Sequence, residues 1–310
     1  MELNKVVLNI LLIGLVGTMN ITAMGRYETF DLDNSDYAFL TSGNDCSILY
    51  RGGDYLCTSK VSCEFFRSRY AFLNEEEYIV CNPLKVYRID ILSGEVLKSF
   101  DINIEHADFL STTENENEIL IGSNRKGLRL NIDTGEVKHD LSFAPDKYDA
   151  NGNPTYPGIM YPFKIAYAVE RNSFFFVGYS KGNNKVPKIY EYSLITNTIH
   201  FMVDGYAPQY VDELGRLFFI DKESREICYM DLSTGNVVSV LKVRRRSVPI
   251  IDYKYIDEKI FFGHLSDERT FKGFRFDEYK VYIDGKIYGV KTQGDLGEMP
   301  FDVILIDSDG

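Results

Sequence analysis

Short apolar runs, each opened by a polar residue, return along the chain at Glu77–Val80, Glu118–Ile121, Ser173–Phe176, Arg216–Phe219, Lys259–Phe262 and Asp302–Leu305. Their starts lie 41, 55, 43, 43 and 43 residues apart. Runs this short, rich in aromatic and β-branched residues, suit β-strands. A unit of about 40 residues containing several such runs is the size of one four-stranded propeller blade. One blade cannot bury both its faces, so the repeat predicts blades packed side by side.

A second ladder keeps step with the first. Strand-like segments at Val86–Ile91, Leu128–Ile132 and Ile227–Leu232 run into Ser93-Gly94, Thr134-Gly135 and Thr234-Gly235 and then into a further strand. Glycine supplies the positive φ that tight hairpin loops need, and the Ser or Thr beside it can bond the local backbone. In the unit between, Thr196-Asn197 puts asparagine, the next most tolerant residue of the left-handed region, where glycine stands elsewhere. The offset from apolar run to turn glycine is 17 residues (77 to 94, 118 to 135) or 19 (216 to 235). The two ladders therefore read as the two hairpins of one blade.

Gly53 lies 41 residues before Gly94 and marks one more turn hairpin. The run at Asp302 has no turn hairpin behind it. Closure is expected to pair this C-terminal hairpin with the N-terminal one around Gly53, which removes exposed sheet edges. The expected fold is all-β, a single propeller domain over 26–310 with six four-stranded blades. Seven is the alternative, because Tyr37–Leu40 echoes Tyr70–Leu73 and could begin a short extra blade.

The phrase Asp231–Val237 (Asp-Leu-Ser-Thr-Gly-Asn-Val) resembles the strand–turn–strand signature of bacterial β-propeller repeat proteins of the pyrroloquinoline-quinone-like and YVTN-like types. The resemblance covers most of residues 45 to 307 and implies the blade. Quinone-dependent members carry a tryptophan soon after that glycine, and this chain contains no tryptophan. The resemblance therefore brings no catalytic residue and no cofactor with it, and a shared fold alone does not license a function.

Composition narrows the partners. Lys and Arg number 34 against 46 Asp and Glu, a net charge of −12. Such a balance argues against nucleic acid and anionic membranes as partners. Arg244–Arg246 is the only dense basic run, and a solvated loop is the simplest reading of it. At the N-terminus, Val6–Val16 is an apolar run of signal-peptide length, short for a membrane span. Ala23 and Gly25 supply small residues for a cut before Arg26, and no cysteine follows to carry a lipid anchor. Export with removal of residues 1–25 is expected, giving a periplasmic or secreted monomer without a transmembrane span; an uncleaved anchor or a buried segment is the alternative. Four of the five cysteines (Cys46, Cys57, Cys63, Cys81) fall close together. In an exported chain this suggests a disulfide, with free half-buried thiols as the alternative; Cys46 and Cys57 face each other if Arg51-Gly52 forms the hairpin loop and are diagonal if Gly52-Gly53 does. Cys228 reads as core.

Candidate chemistry is sparse. The four histidines are scattered, with no metal-like spacing. His106, Asp108, Lys164, Asp212, Asp252 and Lys254 fall on segments that should line the central channel, where polar groups are commonly structural. The interval from Glu118 to Ser173 exceeds the usual unit by about a dozen residues, and the excess lies at 144–162. Long loops on rigid scaffolds often carry binding, and this one offers Tyr148, Tyr156, Met160 and Tyr161 among prolines. Asp149, Asn151 and Asn153 imitate the opening of a calcium loop, but Pro154 replaces the required glycine and Met160 the bidentate glutamate, so no metal is expected. The reading is a non-catalytic binding module for a protein or extracellular ligand, with no cofactor. A channel-mouth hydrolase or lyase and an intracellular scaffold are the alternatives.

Overall fold

The computed structural model describes residues 29–30, 37–42, 47–51, 54–58, 61, 69–104, 107, 109–113, 117–122, 126–142, 159–179, 186–196, 198–242, 250–270, 273–290 and 300–305. Its strands are β1 (Thr29–Phe30), β2 (Tyr37–Ser42), β3 (Ser47–Arg51), β4 (Asp54–Thr58), β5 (Arg69–Phe72), β6 (Glu77–Cys81), β7 (Lys85–Asp90), β8 (Val96–Asp101), β9 (Phe109–Thr112), β10 (Glu118–Gly122), β11 (Lys126–Asn131) and β12 (Val137–Ser142). They continue with β13 (Ile159–Ala168), β14 (Ser173–Tyr179), β15 (Pro187–Ser193), β16 (Thr198–Val211), β17 (Arg216–Asp221), β18 (Ile227–Asp231), β19 (Val237–Leu241), β20 (Ile250–Ile256), β21 (Lys259–Thr270), β22 (Gly273–Ile283), β23 (Lys286–Val290) and β24 (Pro300–Leu305). Among the described residues there is no α-helix, only a single 3-10 turn at Asp212–Leu214.

The sheets run β24-β2-β3-β4, β5-β6-β7-β8, β9-β10-β11-β12, β13 through β19, and β20-β21-β22-β23 with β1 added outside β23. Every pairing is antiparallel except that of β1 with β23. Within the seven-stranded sheet the long β16 serves twice: its first half pairs with β15 and its second with β17. The change of role coincides with a register shift between Tyr206 and Gln209 and with Ala207 at φ 53. The result is a propeller-like succession of four-strand meanders.

The apolar runs are the second strands of these meanders and are buried on both faces, which is why they lack polar alternation. In β14, Phe174 and Phe176 pack with Leu120 of β10, while Phe175 and Val177 pack with Leu217 and Phe219 of β17. In the same way Ala38 and Leu40 meet Tyr70, Phe72, Tyr78 and Val80; Ile79 and Cys81 meet Ile119 and Ile121; and Phe218 and Ile220 meet Tyr253, Ile260 and Phe262. Tyr37 packs with Phe261 and Val281 of the last sheet.

The two ladders fall where the repeat puts them, with Gly94, Gly135 and Gly235 at φ 69, 76 and 72. The C-terminal run needs a correction. Asp302–Leu305 is not the counterpart of Glu77–Val80: β24 takes the first position of its sheet and β2 the second, in the register Tyr37↔Leu305 to Thr41↔Pro300. A buried first strand and a buried second strand carry the same apolar signature, so the pattern alone does not separate them. Tyr37–Leu40 accordingly joins β24, β3 and β4 in one sheet.

Candidate functional site

Strand order divides the sheets into two ends. At one end, the third and fourth strands of each meander are joined by tight turns. Asp90 Oδ1 accepts the Ser93 amide at 2.6 Å, Asn131 Oδ1 the Asp133 and Thr134 amides at 2.9 and 2.8 Å, and Asp231 Oδ1 the Ser233 and Thr234 amides, both at 3.0 Å. These side chains satisfy donors that the turn leaves unpaired, and they fix its start. The amide and hydroxyl of Ser93 hold Asp90 below the usual carboxylate range, and Asp231 is lowered by Ser233 and Thr234 in the same manner. The long connections leave from the opposite end. Residues 143–158 link β12 to β13, 243–249 follow β19 and lead to β20, and the β21–β22 hairpin extends there to Thr270 and Gly273.

The turn end is also where neighbouring meanders clasp one another. Arg88 bonds Glu77 through Nε (2.6 Å) and Nη2 (2.9 Å), and its Nη1 reaches Asp133 in the next sheet's turn, whose carbonyl also accepts from Lys98. Arg129 repeats the pair on Glu118 (2.6 Å) and lies 5.8 Å from the Tyr167 ring of the following sheet. Glu191, 7% exposed, accepts from Ser173 Oγ (2.7 Å) and Arg171 Nε (2.8 Å). Burial pushes its carboxyl up, but those bonds outweigh it, and the net position is below the ordinary value. Gln209 spans the two halves of an inter-sheet gap: its Nε2 donates to the Tyr255 carbonyl and its Oε1 accepts the Tyr255 amide, each at 2.7 Å. Tyr253 donates to the Ala207 carbonyl at 2.9 Å beside it. Finally the Tyr37 hydroxyl donates to Asp257 Oδ2 at 2.8 Å, and Lys259 pairs with the same carboxylate, which lowers it.

Asp212 belongs to this set. Its Oδ1 accepts the Val169 amide at 3.2 Å, so the carboxylate anchors the loop after β13 of the preceding meander. Burial raises its pKa, and the Val169 and Glu170 amides oppose the rise. The Glu213 and Glu170 carboxylates add to the rise, and the Tyr210 hydroxyl interacts with the same carboxylate.

The other sequence candidates divide by position. Asp252 and Lys254 lie on β20, two residues apart and so on one face of that strand, while Lys164 lies on β13. Met160 and Tyr161 open β13, at the end of the sheets that carries the long connections. His106, Asp108, Tyr148, Tyr156, Cys46 and Cys63 lie outside the described residues. Arg51 pairs with Asp54, so Gly52-Gly53 closes the first turn hairpin, and Leu49 stands opposite Cys57 in β4. Cys81 and Cys228 are buried; the Cys81 thiol donates to the Asn82 carbonyl, and the Cys228 thiol is pushed up to about 11 by burial. Sequence reasoning missed the clasps, although one signal was present: a glutamate opens the run and an arginine follows 11 residues later at both Glu77/Arg88 and Glu118/Arg129. Among the described residues no helix is long and apolar enough to cross a membrane.

No family model matches the chain, and no curated protein matches it by sequence. Solved structures do match. One is titled dihydro-heme d1 dehydrogenase NirN in complex with DHE, with 13% identity, 86% of this chain covered and a TM-score of 0.47. The chain spans about half of that structure's length, 55%.

Proposed function

We propose that the chain is an exported, non-catalytic, six-bladed β-propeller that recognises a protein or extracellular ligand through the end of its sheets bearing the long connections. One observation carries the reading. The 143–158 connection, the 243–249 connection and the extended β21–β22 hairpin all leave the same end, while the opposite end is occupied by tight turns and inter-sheet clasps. Recognition on rigid scaffolds concentrates on loops, and here the one insertion in the repeat and the extended hairpin lie at the same end of the sheets. Tyr148, Tyr156, Met160 and Tyr161 belong to or border the largest departure, and tyrosine offers large contact area at low rotamer cost.

The six-blade closed ring is supported by packing that passes from each meander to the next and by Tyr37, which joins β2 to the β20–β23 sheet. Export is supported by the Val6–Val16 run and the small residues before Arg26. The test is chemical crosslinking in the native host followed by peptide mapping. Crosslinks to another molecule should fall on 143–162, 243–249 and the tip near 270–273. Crosslinks concentrated on the turn residues around Gly94, Gly135 and Gly235 would overturn the assignment of the face, and recovery of uncleaved chain in the cytosol would overturn export.

A further inference from the structure

At one recurring place in the repeat an arginine holds a carboxylate. In the β5–β8 and β9–β12 sheets the glutamate that opens the second strand accepts from the Nε of an arginine on the third, Glu77 from Arg88 and Glu118 from Arg129, each at 2.6 Å. Arg88 and Arg129 stand opposite Ile79 and Leu120, the third residues of their runs. The β17–β18 pair is built the other way round. There the residue opposite the third position, Phe218, is Tyr229, and the run itself opens with Arg216. The Arg216 guanidinium carbon lies 4.3 Å from the Tyr229 ring centre, and its Nε is buried with no hydrogen-bond partner. Directly across the strand pair from Arg216 is Asp231, whose carboxylate is engaged by the Ser233 and Thr234 amides. Phe218, two residues on and so on the same face of β17, stacks on Tyr255 of the next sheet at 4.4 Å. Arg216, Tyr229 and Tyr255 thus border the gap between β17–β18 and β20 at the turn end of the sheets.

We propose that Arg216, flanked by Tyr229 and Tyr255, is a binding site for the carboxylate group of a small ligand. A buried guanidinium N–H left without an acceptor is costly, and a planar carboxylate matches the guanidinium fork with two charge-assisted bonds. The Tyr229 face fixes the plane of that fork. Burial pushes the Tyr255 hydroxyl up, Glu258 adds to the rise and Arg216 opposes it, so at neutral pH the hydroxyl is protonated and can donate alongside the guanidinium. The same surroundings choose the ligand's charge. Glu258, Asp257 and Glu213 all act on Tyr255, and a singly charged carboxylate is repelled by them less than a phosphate dianion. The repeat points to the same group, since a carboxylate is what the arginines of the β5–β8 and β9–β12 sheets hold. This site lies at the end opposite the long connections and does not depend on the recognition reading.

Nuclear magnetic resonance on the full chain tests this with sodium acetate as the probe. The Arg216 Nε–H resonance, assigned by its disappearance in Arg216→Gln, should move saturably as acetate replaces chloride at constant ionic strength, and phosphate should move it far less. Magnetisation transferred from the protein to the acetate methyl group should fall at least about tenfold in Arg216→Gln, with a cooperative thermal transition showing that the variant is folded. Tyr255→Phe keeps the ring on Phe218 and removes only the hydroxyl, so it should raise the half-saturating acetate concentration about threefold and carries the test if Arg216→Gln does not fold. A resonance that acetate leaves in place, an equal response to phosphate, or unchanged acetate binding in both variants would each overturn the proposal. An acetate response that appears only in a Glu213→Gln/Glu258→Gln variant would overturn it too, by giving Arg216 to the chain's own carboxylates.

Discussion

Tyr37 is the residue on which the joining of the chain's two ends can be tried by substitution. It is 4% exposed, its ring centre lies 5.0 Å from that of Phe261, and its hydroxyl donates to Asp257 at 2.8 Å. Tyr37→Phe removes one hydrogen bond and leaves Asp257 paired with Lys259 and half open to water, so the cost should be about 1 kcal/mol. Tyr37→Ala also removes a buried ring and leaves a cavity, worth roughly 3–5 kcal/mol, with about 0.5–1.5 kcal/mol more for the lost aromatic pair. Urea unfolding of the three chains, read as a change in midpoint at constant slope, gives these values directly. A double-mutant cycle of Tyr37→Phe with Asp257→Asn should show positive coupling. If Tyr37→Ala cost less than about 1 kcal/mol, the residue would not be buried between β2 and the last sheet, and the packing described for the chain ends would be refuted.

Deleting residues 300–310 removes β24, exposes the edge of β2 and should cost several kcal/mol; unchanged thermal unfolding of the truncated protein would contradict that pairing. Gly135 and Gly235 share a positive φ, but a Cβ on Gly135 would stand 2.5 Å from Phe100 Cδ1 while one on Gly235 would meet nothing within 4 Å. Gly235→Ala should therefore cost about 1 kcal/mol of backbone strain, and Gly135→Ala about 1–3 kcal/mol more, measured by denaturant unfolding. Glu191 and Asp257 are held below their ordinary carboxyl values, so their contributions are present above that range and fall away as the pH drops through it. Glu191→Gln should flatten the acid limb of a stability-versus-pH curve; an unaltered limb would show that Glu191 does not carry it.

The repeat was legible because a buried strand, a tight turn and a positive-φ glycine each impose a residue type at a fixed interval. That is why Gly94, Gly135 and Gly235 could be placed from spacing alone. The order within the composite sheet was not legible, since Tyr37–Leu40 and Asp302–Leu305 are both apolar runs, and which one lies first depends on partners far away in the chain, as in Phe39↔Val303, offset by 264. Asp212 illustrates the same limit at the level of a site: a carboxylate after an inner strand looks like a channel group, and only the position of the Val169 amide identifies it as an anchor. The Glu77/Arg88 and Glu118/Arg129 pairs lay between the two, visible as a repeated interval but meaningful only once their strands were known to be neighbours. The tyrosines of 144–162 were found by their departure from the repeat, a signal that marks a place and does not name a ligand.

The most direct test of the recognition reading compares two double variants for capture of the partner mapped by crosslinking. Tyr156→Ala/Tyr161→Ala alters the long-connection end, where Tyr161 pairs with Val177 at the start of β13, and under conditions where the variant is folded should weaken capture at least tenfold, or about 1.4 kcal/mol. Asp212→Asn/Asp252→Asn alters the turn after β16 and strand β20 and should leave capture unchanged. Full capture by the tyrosine variant, together with a partner lost or left unprocessed by the asparagine variant, would contradict the account and move the site to the channel.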